Sequence, residues 1–581
     1  MLPMRMLRWR FDTLVLILAL LASLPAQAKV TVSVEGLDKE LTAAVRAGLT
    51  LQTQSEREMS SRRIERLHEL AEQEIETTLQ AFGYYRPAID ARLERAPEGW
   101  HATYVVALGA PVRIEQLQID IAGPGAEDPE LTSRIGFLPL KLNDGLVHSR
   151  YEEAKRALLR AALDLGFLDA ELVRHEVRVD LLRYRADIQM TLETGALYRF
   201  GEIEVVQDVL GSDLMDRLIS IQPGDRLTTN SLIRQHQELR DSGYFSTVEI
   251  LTLREQARDF AVPVKMRLSP RKPNRYSFGV GYGTDTGARA SAGWERRRWD
   301  PRGHRSHVGL EISQVKNTAS ARYSIPLEKP LTDQLIFSTG YQDERTDTAL
   351  SRKATVGTSR IFGRGDWLET LSLDYQWEDF AVSEQADISR LLIPGVSWTR
   401  TTADDPTYAS KGSRFTVGLR AADQSLASTA SFTQVYASVK LIHSFGRNSR
   451  VVLRGDAGQT NVDRITDLPA SLRFFAGGDY SVRGYDYQSL GPKDENGEVI
   501  GGRRLLVGSI EYEYRFRPQW SAAVFYDAGN AVETFADPLA KGAGAGVRWL
   551  SPIGAIRIDV AQALSEPDRP WKLHLIIGPD L

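Results

Sequence analysis

For about three hundred residues after Pro273 the chain alternates apolar with polar residues and never runs apolar for long. In the first such segment Tyr276, Phe278, Val280 and Tyr282 alternate with Ser277, Gly279, Gly281 and Gly283. The pattern returns in HVGLEIS, TLSLDYQWE, RFTVGLR, LVGSIEYEYRF, AIRIDVA and WKLHLII. Side chains of a strand point to opposite faces with a period of two, so each segment offers one apolar and one polar face. Segments of roughly ten residues with this pattern are what a transmembrane β-barrel requires, one face in lipid and one in a wet lumen. A soluble β-sandwich alternates as well.

Three features favour the barrel. About sixteen strand segments can be counted, the even number that closes an antiparallel barrel in an outer membrane. Trp294, Trp299, Trp367, Trp377, Trp398, Trp520, Trp549 and Trp571 fall in this half, as interfacial girdles require. The connections also sort by parity. FGRGD, FGRN and RFRPQ, between even and odd strands, read as tight turns, whereas YQDERTDTALS and NAVETFADPLAKG, between odd and even strands, read as longer loops. No stretch after the N-terminal segment is long and apolar enough for a helical span.

The longest connection joins strands 11 and 12 and holds Phe474–Leu490, FFAGGDYSVRGYDYQSL. A connection of that length without structure of its own is uncommon in a compact domain. Gly477, Gly478 and Gly484 permit tight backbone, while Phe474, Phe475, Tyr480, Tyr485 and Tyr487 need a surface to pack on. A lone cation, Arg483, sits between Val482 and Gly484. The segment therefore reads as one folded inward against the barrel wall. In SIEYEYRF, Ile510, Tyr512 and Tyr514 face lipid, which turns Glu511 and Glu513 inward; in AAVFYDAGN, Val524 and Tyr526 face out and Asp527 in. Lumenal carboxylates hold a guanidinium through charge-assisted hydrogen bonds, and Arg483 is the candidate partner. On residues alone, a solvated loop arginine is the plain alternative.

Arg5, Arg8 and Arg10 precede an apolar core, Leu14–Leu21, and an Ala-Gln-Ala site ending at Ala28. This is the pattern of a cleaved export signal over residues 1–28, with a mature start at Lys29. The net charge of −4 argues against a nucleic-acid surface. Cysteine is absent, so neither disulfides nor thiolate chemistry is available.

Between Lys29 and Pro270 one pattern is written three times. LQAFGYYRPAIDA, AALDLGFLDAELV and LRDSGYFSTVEIL place Gly83, Gly166 and Gly243 just past an amphipathic run, where glycine satisfies orphan carbonyls in the left-handed conformation. The runs carry apolar stripes: Ile64, Leu67, Ala71 and Leu79; Tyr151, Ala154, Leu158 and Leu165; Leu232 and Leu239. Ser149 with Glu152 reads as a capping box. Each copy opens with a strand, at Val30, Arg113 and Phe200, and closes with two more.

This order and the helix-Gly-aromatic signature resemble polypeptide-transport-associated (POTRA) domains, expected at 29–110, 111–195 and 196–271, with the barrel at 272–581. The fold expected is therefore α+β POTRA repeats followed by a 16-stranded antiparallel transmembrane β-barrel. Val482-Arg483-Gly484-Tyr485, the GSIEY around Glu511 and the FYDAGN around Asp527 resemble motifs of the BamA/TamA superfamily of outer-membrane assembly factors. Three repeats are similar to the TamA branch, against five in BamA branches and two, with a plug helix, in two-partner secretion transporters.

The resemblance implies that Arg483 is held by Glu511 and Asp527, that extended polypeptide adds to POTRA sheet edges, and that the partners are unfolded outer-membrane protein substrates and a TamB-like inner-membrane-anchored protein. It also implies contact with outer-membrane lipid and a contribution to phospholipid transport. No cofactor, metal or covalent chemistry is expected. The glycine-rich FGVGYG and GAGAGVRW alternate as strands and precede no phosphate-cradling helix, and His304 and His307 lack a metal-site partner pattern. A two-partner secretion transporter or a passive channel is the rival reading.

The last strand, WKLHLIIGPDL, reaches Gly578 and then Pro579, which has no N–H to donate to a ladder. Leu575 lies on that strand. Opposite it, Phe278 and Val280 stand on a strand whose other face is glycine. A closed barrel with a frayed end satisfies these residues; the resemblance favours a seam that opens laterally.

Overall fold

The computed structural model describes residues 27–97, 99–405, 408–551 and 554–578. Most of the expected export signal, and Pro579 of the expected seam, lie outside the described residues. The chain divides into two compact units. One holds residues up to Ile203 with Ile221–Ile233 and Thr252–Val264; the other holds Glu204–Ser220, Arg234–Leu251 and everything from Lys265.

The first unit contains two mixed three-stranded sheets of the same design. Val30–Glu35 runs parallel to Gly99–Ala107, which pairs antiparallel with Ala88–Ala96. Arg113–Ala122 runs parallel to Arg185–Glu193, which pairs antiparallel with Glu171–Asp180. The helix Ser61–Gln80 buries Ile64, Ala71, Ile75 and Leu79, and the helix His148–Asp164 buries Tyr151, Ala154 and Leu158. Spacings of three, four and seven put these residues on one face, and each large one contributes about 1.5–3 kcal/mol by leaving water.

Both helices stop in the same way. Gly83 and Gly166 take φ of 90° and 92°. Their neighbours close the last turn, Tyr84 N–H on Leu79 C=O and Phe167 N–H on Ala162 C=O, each at 3.0 Å. The same glycines then build the joint to the next repeat. Val112 N–H donates to Gly83 C=O and Tyr198 N–H to Gly166 C=O, each at 2.9 Å. A Cβ at either glycine would press on the carbonyl oxygen of Leu146 or Leu227, at 2.5 and 2.6 Å. The expected capping box is absent: the residue that starts the second helix is Val147, with no side-chain cap, and Ser149 lies inside the helix. His148 N–H is satisfied instead by Ala81 C=O at 2.8 Å, so the preceding repeat does the capping. A third sheet has the order Phe245–Thr252, Ala261–Pro270, Arg199–Val206, and Gly243 again takes a positive φ, 74°.

The second unit is dominated by a sixteen-stranded antiparallel sheet in sequential order. Its strands are β1 Asn274–Gly283, β2 Gly287–Arg296, β3 Arg305–Ser313, β4 Lys316–Pro326, β5 Gln334–Arg345, β6 Ala349–Arg364, β7 Trp367–Val382, β8 Gln385–Ala403, β9 Lys411–Ala422, β10 Phe432–Phe445, β11 Ser449–Asn461, β12 Arg504–Arg517, β13 Trp520–Val532, β14 Ala540–Ser551, β15 Gly554–Ala563 and β16 Trp571–Gly578. Alternation sets the faces. Ile510, Tyr512, Tyr514, Val524 and Tyr526 are exposed, while Glu511, Glu513 and Asp527 are buried on the other side.

The expected parity of the connections holds only in part. YQDERTDTALS is mostly strand, with only residues 346–348 as a turn. The links 284–286, 314–315 and 383–384 on the same end are equally short. There the strands lengthen instead: β8 has 19 residues, about 60 Å of extended chain, which exceeds a hydrocarbon core of about 30 Å even when tilted. On the opposite end three links are longer than a turn because each makes contacts. In 297–304, Pro301 C=O accepts from Gly211 N–H at 2.9 Å and Gly303 C=O accepts from the Tyr244 hydroxyl at 2.6 Å. In 327–333, Leu327 C=O accepts from Arg217 at 2.6 Å. In 404–410, Ala409 C=O accepts from Arg450 at 2.9 Å and the Tyr408 ring lies 3.9 Å from that guanidinium.

Candidate functional site

Residues 462–503, between β11 and β12, turn into the lumen and are anchored at several depths. Near the start, Ser471 N–H and Oγ bind the buried Glu378 carboxylate of β7. The Arg473 guanidinium donates to Leu468 C=O, Ile500 C=O and Gln385 Oε1, at 2.9, 3.0 and 2.7 Å. Leu468 and Leu472 pack with Leu391, Ile393 and Phe432. Further on, Val482 and Tyr485 pack with Ala476, Val507, Ala540 and Ala563.

Arg483 lies at the centre. Its Nε and Nη2 form a bidentate pair with Asp527, at 2.7 and 2.9 Å, and its backbone N–H adds a third bond to the same carboxylate at 3.1 Å. Nη1 donates to Glu511 at 2.7 Å and to Asp559 at 3.1 Å. The guanidinium also lies over the Phe525 ring, 3.4 Å from its centroid. Such planar, forked donation is what arginine supplies and lysine does not. Thus Arg483, Glu511 and Asp527 come together as the alternation places them.

The surrounding groups are less legible. Arg548 of β14 donates to Glu511 at 2.8 Å and joins it to Asp559 of β15. Arg450 of β11 pairs with Glu513 at 2.8 Å, and Arg454 donates to Ser481 C=O at 2.7 Å. Three arginines, Arg450, Arg483 and Arg548, therefore pair with four carboxylates, each acid of this buried network having a cationic partner, while Arg454 holds the loop backbone. The lumenal positions of β14 leading to Arg548 are glycines. A Cβ at Gly542 would collide with Arg483 C=O, and one at Gly546 with the Asp559 carboxylate. GAGAGVRW is thus a strand face cut away so that the loop can lie on it. Gly484, at φ 99°, lies against β15, where a Cβ would meet Ala563 N at 2.9 Å. Tyr485 Oη donates to Lys541 C=O and accepts from Ser565 N–H, at 3.1 and 3.2 Å.

Arg548, Asp559 and His574 were within reach of the alternation argument. In GAGAGVRW, AIRIDVA and WKLHLII the residues beside Val547, Ile558 and Leu573 must face the lumen, and a charged or imidazole side chain there asks for a partner. Asp479 carries no such signal, because a loop residue has no period.

At the sheet's two edges, no ladder pairs β1 with β16 among the described residues. Phe278 and Val280 of β1 are 84% and 92% exposed, Leu575 is half-buried, and Gly578 ends β16, which has only 8 residues. Near this seam Asp285, Asp479 and His574 bring three potential ligand atoms within 4.8 Å of one another. The imidazole does not fit a metal there. Its Nε2 accepts from Gly484 N–H at 2.9 Å, so the proton of the neutral ring is on Nδ1, 2.6 Å from Asp479, and no lone pair remains.

An N-terminal POTRA domain followed by a sixteen-stranded, nearly closed antiparallel barrel is the architecture of outer-membrane Omp85 proteins. Residues 271–574 match the Omp85 superfamily domain, and the chain belongs to that superfamily. Residues 31–108 match the POTRA domain TamA domain 1. The chain is similar to the outer membrane protein assembly factor BamA of Nitratidesulfovibrio vulgaris, 25% identical over 369 residues, covering 60% of this chain and 46% of that one. It is also similar to BamA of Neisseria meningitidis, 22% identical over 456 residues, covering 65% and 56%. The chain thus spans about half the length of these relatives. The crystal structure of BamA from Haemophilus ducreyi lacking POTRA domains 1–3 superposes with a TM-score of 0.62 at 17% identity, covering 80% of this chain and 99% of that one. The barrel accordingly resides in the outer membrane with its N-terminal repeats in the periplasm.

Proposed function

We propose that the chain is a TamA-like assembly factor. Its periplasmic repeats, at 29–110, 111–195 and 196–271, receive unfolded outer-membrane polypeptide by strand addition, and its barrel, from 272, hands that polypeptide to the membrane at the β1–β16 seam. The observation that carries this reading is the pair of sheet edges that share no ladder among the described residues, with Phe278 and Val280 exposed on the outer face. Unpaired strand edges are templates for an incoming strand, which soluble proteins guard against and an insertase would use. The match of residues 31–108 to a TamA-type domain supports a TamB-like, inner-membrane-anchored partner at the repeats. Outer-membrane phospholipid is the second cargo of this reading. Arg483, Glu511 and Asp527 act as a clamp that keeps Val482, Gly484 and Tyr485 seated during the cycle.

The test is reconstitution in liposomes with a model barrel substrate. The chain has no cysteine, so cysteine pairs scanned in register between residues 276–282 and 571–577 introduce a seam crosslink on a clean background. The oxidised barrel should stop assembling substrate and the reduced barrel should resume. Deleting residues 29–110 should leave an inserted barrel with impaired assembly. Ion conductance without assembly in the parent would favour a channel, and undiminished assembly by the fully crosslinked barrel would remove the seam from the mechanism.

A further inference from the structure

Where the edges of the sheet meet, a small set of polar groups stands in for the missing ladder, and the loop supplies the central one. Asp479 Oδ1 accepts from the Thr284 hydroxyl at 2.8 Å, at the end of β1, and from His574 Nδ1 at 2.6 Å, on β16. The Thr284 oxygen in turn accepts from Leu575 N–H of β16 at 3.1 Å. Asp285 accepts from Asp479 N–H at 2.6 Å. His574 Nε2 receives the Gly484 N–H, one residue from Arg483. Asp479 and His574 are both buried. Away from this cluster, Arg289 of β2 donates to Ile577 C=O at 3.1 Å.

Every donor in the cluster has one acceptor, and the proton positions are mutually consistent. Gly484 N–H requires a bare Nε2, which puts the ring proton on Nδ1, where Asp479 takes it. Thr284 spends its hydrogen on Asp479 and its lone pair on Leu575 N–H. Two glycines make the approach possible: Gly478 takes φ 104° with the Asp285 carboxylate where a Cβ would be, and Gly484 takes φ 99°.

We infer that Asp479, Thr284 and His574 form a latch by which the loop carrying Arg483 holds the seam shut, so that β1 and β16 part only when the Asp479 carboxylate lets go of Thr284 and His574. Thr284 and His574 are positioning residues in this scheme, acting through the loop and the strand edges. The latch couples two features otherwise separate, the lumenal clamp and the edge of the sheet. It rests on the reading that the seam opens in function.

Hydrogen–deuterium exchange on the full chain in liposomes tests it without a substrate. Thr284→Val keeps the shape of the side chain and removes the hydroxyl shared by loop and β16; His574→Ala removes the imidazole. Either variant should raise exchange of residues 478–484, 274–283 and 571–578 together by roughly tenfold, the scale of one net hydrogen bond. Exchange in β12 and β13 should stay at the parent rate. His574→Gln, whose amide carries a donor and an acceptor at comparable separation, should restore protection. Faster exchange at 478–484 with the two strand edges unchanged would overturn the latch, as would no change anywhere. If the exchange pattern appears but the parent assembles no substrate, the proposed function falls and the latch stands. If the parent assembles substrate and the strand edges do not respond, only the latch falls.

Discussion

The loop between β11 and β12 touches two stretches of wall built on opposite terms. Along β12 to β15 it meets fixed charge: Arg483 is gripped by Asp527, Glu511 and Asp559, and Arg548 ties two of those carboxylates to each other. At the seam it meets shared hydrogen bonds, Thr284 and His574 on one carboxylate, and a half-exposed ion pair, Asp486 with Lys572 of β16, with no ladder behind them among the described residues. The first contact is over-determined, since no single bond carries Arg483. The second hangs on individual atoms. A loop held this way can release the seam and keep its register in the barrel, because the weak contact breaks long before the strong one.

That comparison is sharpened first at the clamp, where the expected effect is largest. Arg483→Ala leaves Asp527, Glu511 and Asp559 facing each other with only Arg548 among them, and removing one partner of a buried pair costs about 3–5 kcal/mol. The loop should become protease-sensitive over residues 474–490 and assembly activity should drop. Arg483→Lys should fall between, since an ammonium cannot span Asp527 and Glu511 at once. If Arg483→Ala matches the parent in both assays, the clamp is not what seats the loop.

Gly542→Ala comes next. The added methyl meets Arg483 C=O from below, and overpacking of this kind costs roughly 1–3 kcal/mol. The barrel should insert normally, with exchange rising at residues 480–486. An unshifted loop would mean that β14 yields more easily than the loop does.

The smallest effect is expected at the seam, and it depends on pH. Burial and the neighbouring Asp479 carboxylate push Asp285, in the β1–β2 turn, up to about 6 from its ordinary 3.8. A carboxyl whose pKa is raised by folding binds its proton more tightly in the folded state. Its stabilising contribution is therefore complete below about pH 4 and is lost as pH rises through about 6. The loop tip should be better protected at pH 5 than at pH 7. Asp285→Asn, which keeps an acceptor for Asp479 N–H, should remove that dependence and protect the tip at pH 7 by roughly 1 kcal/mol. Equal protection of parent and variant at both pH values would show that the two carboxylates do not oppose each other.

What the sequence determined by itself is everything that a period of two or of 3.6 encodes. Alternation alone turned Glu511, Glu513 and Asp527 inward and Phe278 and Val280 outward, because a strand's faces are set residue by residue. The helix stripes and the left-handed Gly83, Gly166 and Gly243 were legible for the same reason. The capping of the second helix was not, since Ala81 of the preceding repeat does what Ser149 was expected to do. Nor were the lengths of the connections, which follow from docking contacts of 297–304 and 327–333 and from the outward extension of β6 to β8. Only the tertiary structure decided that Asp559 and Arg548 join Arg483, and that Asp479 meets Thr284 and His574. Those partners lie on different strands and a loop, far apart along the chain, and they meet only where the register of sixteen strands and the path of one inserted loop coincide.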